Sequence, residues 1–232
     1  MLDIASSFAR EVGLQFSTDP DPAKSKSKGI YMVVRQTGLV KPAPLVLSGQ
    51  ALPWVAHATH LGHEFHEDAT MDMDTRMRRG CFISRCLEVQ EAFTFATPDN
   101  TLAAVKLYCG DLYGGMLARL DSPAAVQLMN CWGITVKDVW AVPRATHRVY
   151  ARWLSGPHTS FREDLLARWV KFYQSLYTSP SPELAVIARA LRSTTGANNR
   201  LILDTTGLDA ATATPQQVRS ELRAREEPMT DG

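Results

Sequence analysis

Three lysines at alternate positions form the first group of residues in this chain that could do chemistry. Lys24, Lys26 and Lys28 follow the sequence DPDP at residues 19–22 and precede an apolar run at residues 30–34. An ammonium group close to a phosphate neutralises its charge and can donate a proton to a leaving oxygen. A segment rich in Lys, Ser and Pro is equally typical of a flexible, solvated loop. The residues alone leave both interpretations open.

Four histidines recur at every third position, at His57, His60, His63 and His66. On a helix this spacing would suggest a zinc site. Neighbouring Gly62 and the β-prone residues around it favour a strand and a turn instead. Because side chains alternate along a strand, we expect His57 and His63 on one face and His60 and His66 on the other. We therefore expect no metal site here.

The densest local group of basic residues consists of four arginines, Arg76, Arg78, Arg79 and Arg85. On a helix, Arg78 and Arg85 are one heptad apart and share a face, whereas Arg79 lies roughly 100° around the axis. Basic side chains on an exposed face can contact phosphates. Acidic residues flank the group on both sides, and charges on an amphipathic helix usually form its solvated side. Phosphate contact and simple solvation both remain open.

Composition limits the class of protein. With 232 residues, 45% of them hydrophobic, the chain can bury a core as one larger domain or two small ones. Its formal net charge of +1 predicts no global field for nucleic acid. Its four cysteines lack a C-x-x-C pair, which favours buried thiols in a reducing compartment. No run of about 20 apolar residues and no signal peptide is present, so we expect an intracellular protein of the cytoplasm or nucleus, neither secreted nor in a membrane.

The first 66 residues predict one helix followed by short strands. Apolar residues recur with helical spacing from Leu2 to Val12, and residues 30–34 have the composition of a strand. Residues 45–47 and 52–55 predict a hairpin around Ser48-Gly49. A second turn is expected at Leu61-Gly62.

From Met71 to about Ser193 the apolar period is helical. Capping signals and apolar stripes predict helices at residues 72–93, 97–117, 122–140, 146–154, 161–177 and 182–191. The pattern weakens after Gly196, where one further helix is predicted at residues 215–225. Large aromatic residues on helical stripes are usually core, so we expect Trp132, Trp140, Trp153 and Trp169 to be buried.

The order of these motifs resembles the end of the reverse transcriptase domain of LINE-type (non-LTR) retrotransposons. The resemblance rests on the first helix, then Gly13-Leu14-Gln15-Phe16, then Lys26-Ser27-Lys28, the strand and Leu61-Gly62. The sequence WAVPRATH at residues 140–147 and RSTTG at residues 192–196 continue it.

This resemblance implies a mainly α fold with a small α+β N-terminal part. Residues 1–70 would be the C-terminal part of a polymerase palm, a truncated remnant made of a helix and short antiparallel strands. Residues 71–145 would be a helical thumb, residues 146–207 a helical connection, and residues 208–232 a weakly structured tail.

The resemblance also implies roles for particular residues. Lys26 matches the lysine that borders the incoming nucleotide, and Leu61-Gly62 matches the hairpin that braces the primer end, the primer grip. The expected nucleic-acid contacts are Lys24, Lys26, Lys28, Leu61, Gly62, Arg76, Arg78, Arg79 and Arg85. The expected partners are RNA or an RNA–DNA hybrid and the N-terminal half of the polymerase.

We expect no polymerase activity from this chain alone. The aspartate pair that holds Mg²⁺ in the family lies upstream of the matching pattern, which leaves Lys26 idle and the chain with no catalytic residue and no cofactor of its own. Asp72 and Asp74 have a spacing that could share a cation, but helix capping explains them better. One alternative is a stand-alone helical module that binds nucleic acid through its basic helix. A second is a helical protein–protein or structural module that does not bind nucleic acid, with residues 161–177 packing against a partner helix. Metal binding by the four histidines is a third.

Overall fold

The computed structural model describes residues 2–19, 21, 23–32, 42–110, 112, 114–194 and 197–226. The chain is mainly helical with two small antiparallel sheets, which confirms the expected fold class at that level. It divides into two compact units, Met1–Asp74 and Thr75–Gly232. Within the described residues, no helix combines the length and the apolar character needed to cross a bilayer.

The first unit begins with the predicted helix, α1 (Leu2–Glu11). A hairpin of two very short strands, β1 (Val46–Leu47) and β2 (Gln50–Ala51), follows, and its loop is Ser48-Gly49 with φ of 52° and 80°. The turn is where the sequence predicts it, but pairing uses Gln50–Ala51 rather than residues 52–55. The hydroxyl of Ser6 accepts a hydrogen bond from Ser48 N at 3.3 Å and so ties this hairpin to α1.

The strand predicted at residues 30–34 is not formed in its described part, residues 30–32. Val33 and Val34 lie outside the described residues. Gly29 makes a single parallel bridge to Trp54 instead. A Cβ at Gly29 would lie 2.7 Å from the indole, so only glycine allows this approach.

The second hairpin consists of β3 (His57–His60) and β4 (His63–His66), paired antiparallel. Its two-residue loop is Leu61-Gly62, with φ of 50° and 77°. Positive φ at both loop positions is the signature of a type I′ turn, whose twist matches that of the strands. The predicted turn at Leu61-Gly62 is therefore confirmed.

The second unit is built from helices after the long α2 (Asp72–Ala92), which begins at the end of the first unit. They are α3 (Pro98–Cys109), α4 (Pro123–Val139), α5 (Arg148–Leu154), α6 (Phe161–Tyr177), α7 (Pro182–Thr194), α8 (Ala197–Thr206) and α9 (Pro215–Glu226). Thr97, Ser122 and Ser160 each cap the helix that follows them, and Ser160 forms a reciprocal capping box with Glu163.

Two boundaries differ from the sequence prediction. Helix α3 ends at Cys109 rather than continuing to Leu117, because Gly110 ends it and Gly114 takes a left-handed φ of 68° before a short 3-10 turn at Gly115–Leu117. Helix α8 occupies a region in which the apolar pattern is weak. Gly196, the predicted helix stop, lies outside the described residues.

The core of the second unit surrounds α6, whose Phe161, Leu165 and Val170 are fully buried. The Phe161 ring packs against Phe82 and Trp132, with centroids 4.5 and 5.8 Å away. Because α6 is buried in the core of its own chain, it cannot be the partner-binding helix of the protein–protein alternative.

The same core extends into the C-terminal part of the chain. Val218 and Leu222 of α9 are buried in it. Residues 208–226 are thus packed structure rather than a weakly structured tail. The boundaries expected after residues 145 and 207 do not appear, because a single hydrophobic cluster spans them.

Candidate nucleic-acid interface

Charge is divided unequally between the two units. Residues 1–74 contain six Lys or Arg and nine Asp or Glu, a net −3, whereas residues 75–232 contain 19 and 15, a net +4, which together give the overall +1. Sixteen of those 19 cations are arginines, the side chain best suited to forked hydrogen bonds with phosphate. The near-neutral total therefore conceals a basic helical unit.

The lysine segment of the first unit has an ordered backbone. Ser25 is buried and donates its hydroxyl to the carbonyl of Ser27 at 2.6 Å, and Ser27 N donates to Ser17 O at 3.1 Å. Lys24, Lys26 and Lys28 are all exposed on this segment. Lys24 Nζ lies 3.9 Å from Asp21 Oδ2, an exposed pair that contributes little stability. The segment thus presents three lysine side chains to solvent from an ordered backbone.

Leu61 occupies the tip of the second hairpin, where its side chain is 80% exposed. A leucine at φ = 50° carries the steric penalty of the left-handed region, about 1 kcal/mol. Asparagine is the usual residue at this position of a type I′ turn, in the pair Asn-Gly. Leu61 therefore contributes neither core packing nor favourable turn geometry.

Asp74 anchors this hairpin at the start of β4, next to the turn. Its carboxylate accepts hydrogen bonds from Glu64 N at 3.1 Å and contacts His63 Nδ1 at 3.4 Å, and Asp74 is almost fully buried. Across the strands, the hydroxyl of Thr59 donates to the Glu64 carboxylate. Asp74 lies in the first turn of α2, as helix capping requires, and its side chain also reaches back to a β-strand.

The strand register corrects the expected arrangement of the histidines. His57 pairs with His66 and His60 with His63, so each pair shares one face. The expected grouping of His57 with His63 holds only for one continuous strand, and the turn at Leu61-Gly62 reverses the chain between them. The four rings are still divided between two faces. In the described part of the chain, no group of three potential ligands is close enough to hold a metal.

Helix α2 does not present its four arginines as one patch. Arg79 is half-buried near Cys131; burial raises the pKa of the Cys131 thiol, and the Arg79 guanidinium opposes the rise. Arg76 and Arg85 are exposed, but Arg76 lies roughly 160° from Arg78 around the axis, whereas Arg85 lies within about 20° of it. Arg79 is therefore unsuited to phosphate contact, and Arg78, itself half-buried, shares its side of α2 with the exposed Arg85.

A basic segment further along the chain is not among the contacts predicted from the sequence. Residues 139–162 contain four arginines and no acidic residue. Two large aromatic residues within it, Tyr150 and Trp153, are exposed, which contradicts the expected burial of Trp153. Counting acids and bases in a sliding window would have identified this segment without a structure.

The other tryptophans follow the expectation more closely. Trp132 and Trp169 are buried, and Trp140 is half-buried against the core.

Compared with known proteins, the chain matches no family model, no curated protein and no solved structure.

Proposed function

We propose that this chain is the palm end, thumb and connection of a reverse transcriptase of the non-LTR type, and that it binds an RNA–DNA hybrid without polymerising by itself. Leu61 is the observation that carries the proposal. A bulky apolar side chain held at the tip of a tight hairpin, at a conformational cost and without burial, is explained by contact with something outside the chain. A primer grip is a hairpin tip of this kind.

The lysine segment supports the proposal from the same unit. Lys26 lies on a fixed backbone with its ammonium in solvent, which suits electrostatic contact with phosphates. In the second unit, Arg78 and Arg85 share one side of α2 and would contact the nucleic-acid backbone.

Mg²⁺, which the family enzyme requires, does not fit the acids at the start of α2. Asp74 is committed to Glu64 N and to the ring of His63, and it is nearly buried. A two-metal site needs carboxylates that open toward a substrate. No metal-assisted step is therefore assigned to the acids at the start of α2.

The test of the proposal is the substitution Leu61→Asn. Because asparagine tolerates the left-handed region, the variant is expected to gain about 0.5–1 kcal/mol in free energy of unfolding. If Leu61 braces a nucleic-acid end, the same variant binds a labelled RNA–DNA hybrid less tightly. Stability is measured by urea denaturation and affinity by fluorescence anisotropy.

Gain of stability with loss of affinity separates a binding role from a folding role. The matched control is Ser48→Asn at the tip of the first hairpin, which has a similar φ of 52°. The control should leave hybrid affinity unchanged. A Leu61→Asn variant that is folded and binds as tightly as the native chain would remove the main support for the proposal.

A second candidate function, a protein–protein module, is favoured by the outer side of α2. Met73, Met77, Ile83 and Leu87 are exposed there although the opposite side of the helix packs into the core. An apolar partner would bind this side with little salt dependence, unlike a nucleic acid. Light scattering at high and low salt distinguishes apolar protein association from nucleic-acid binding. Leu87→Lys is the variant that disrupts the apolar side of α2.

A further inference from the structure

Two aromatic side chains of α5 project into solvent next to each other. Tyr150 is 60% exposed and Trp153 is 74% exposed. Residues three apart on a helix are surface neighbours, with Cβ atoms about 5–6 Å apart. The two rings therefore form one exposed aromatic surface, defined by Tyr150 and Trp153.

The exposure is not a consequence of a loosely held helix. The indole of Trp140 donates to Leu154 O at 3.0 Å, and the indole of Trp132 donates to the hydroxyl of Ser155 at 3.1 Å. That hydroxyl in turn donates to Ala151 O at 2.8 Å, and Ala151 is buried. Helix α5 is thus fixed along its inner side, and the aromatic surface is held on a rigid support.

Residues 139–162, which include the aromatic surface, carry a positive net charge. Arg148 in the first turn of α5 is exposed, roughly 160° around the helix axis from Tyr150. Asp138 pairs with Arg144 at 3.3 Å, so these two charges offset each other, and buried Glu163 pairs with Arg223 Nε at 2.7 Å. An anionic ligand with flat apolar groups is complementary to this combination.

We propose that Tyr150 and Trp153 stack on unpaired bases of a single-stranded RNA or DNA, while the positive charge of residues 139–162, with exposed Arg148 among them, attracts its phosphates. Base faces are accessible only where the strand is unpaired, and aromatic stacking combined with basic side chains is how sequence-tolerant single-strand binding is achieved. The proposal rests on nucleic-acid binding as the proposed function and adds a second surface to it. This surface serves the single strand beside the hybrid and not the hybrid itself.

The experiment compares Trp153→Ala, Tyr150→Ala and Trp153→Phe in binding to a labelled single-stranded oligoadenylate. Each alanine variant is expected to bind about 5- to 150-fold more weakly, and the phenylalanine variant to retain most of the affinity, because it keeps a ring. Native emission from the exposed Trp153 should be quenched on binding. Since both side chains are exposed, thermal unfolding should not change.

The matched control is Phe95→Ala, which removes a fully exposed aromatic ring elsewhere in the same unit. It should leave oligoadenylate affinity unchanged. Equal affinity of Trp153→Ala and Phe95→Ala would overturn the inference, as would retained affinity in a Trp153→Leu variant, which points to an apolar protein partner.

The two proposals fail separately. If the hybrid binds and Leu61→Asn weakens it while Trp153→Ala has no effect on the single strand, the α5 surface is wrong and the proposed function stands. If the single strand depends on Trp153 but Leu61→Asn leaves hybrid binding unchanged, the primer-grip assignment is wrong and the α5 surface stands.

Discussion

Helices α1 and α6 have the same kind of apolar period, yet their large apolar side chains differ in burial. In α1, Ile4 is 74% and Phe8 is 64% exposed. In α6, Phe161 and Leu165 are fully buried beneath α4, α7 and α9. An apolar stripe is enough to specify a helix, but it is buried only where another layer of the chain covers it.

The two units differ in the same sense as these helices. Residues 1–74 are acidic overall and hold strands of two and four residues, too short to build a large sheet. Residues 75–232 are basic and share one hydrophobic core. Stability is therefore expected to come from the second unit, and the exposed apolar residues of the first are available for contact with a partner.

The largest expected effect tests this difference in burial directly. Leu165→Ala should lower the free energy of unfolding by about 2–5 kcal/mol, because it leaves a cavity in a packed core. Phe8→Ala removes a larger side chain but should change stability by less than about 0.5 kcal/mol, because the ring is mostly in solvent. Urea denaturation of both variants measures the contrast; equal losses would show that α1 is packed as tightly as α6.

A smaller effect is expected in the first unit. Asp74→Ala removes the acceptor of Glu64 N and should cost roughly 1–3 kcal/mol, because a buried donor loses its partner. Hydrogen exchange should accelerate at the amides of β3 and β4 and remain slow in α6. Asp72→Ala is the matched control. Uniform acceleration throughout the chain would mean that the hairpin is not a separately stabilised element.

The smallest expected effect concerns the thiols of the second unit. Burial raises the pKa of Cys86 to about 12 from 9.0, so the folded thiol stays protonated at a pH where the unfolded one ionises. The contribution of Cys86 to the free energy of unfolding is complete below pH 9.0 and is lost as pH rises toward 12. One pH unit above the unfolded pKa of 9.0, the loss is about 1.4 kcal/mol.

Denaturation midpoints measured across this alkaline range test the sign of that effect. Cys86→Ala should flatten the dependence. At mild pH only Cys81, the exposed thiol, should react with an alkylating reagent, while Cys86, Cys109 and Cys131 stay protected. Rapid labelling of all four in the folded chain would contradict the packing described for α2, α3 and α4.

Helix positions were the part of the fold most accessible from sequence. The bounds of α6 are those predicted, because Ser160 and Glu163 form a local capping box that needs no tertiary information. Helix α8 was missed for the opposite reason. Its buried residue Asn198 bonds Leu120 N at 2.7 Å and Ala118 O at 3.0 Å, so a polar side chain stands where the apolar pattern needs a hydrophobic one.

The candidate site was harder to predict because it depends on which side of a helix is covered. Helix α2 has apolar residues on two sides, so its sequence does not reveal that Arg79 points toward Cys131. In the same way, a seven-residue helix such as α5 cannot show from its period that Trp153 faces solvent. Leu61-Gly62 was identified correctly as a turn because the glycine marks it locally.

The central claim is best tested by hybrid binding across a salt series. For the folded native chain we expect the logarithm of the binding constant to fall linearly with the logarithm of salt concentration. Arg78→Ala/Arg85→Ala should reduce that slope by about 2, one for each lost phosphate contact, whereas Arg76→Ala, on the other side of α2, should not. A folded chain that does not bind the hybrid, or binds it independently of salt, would contradict the proposed function.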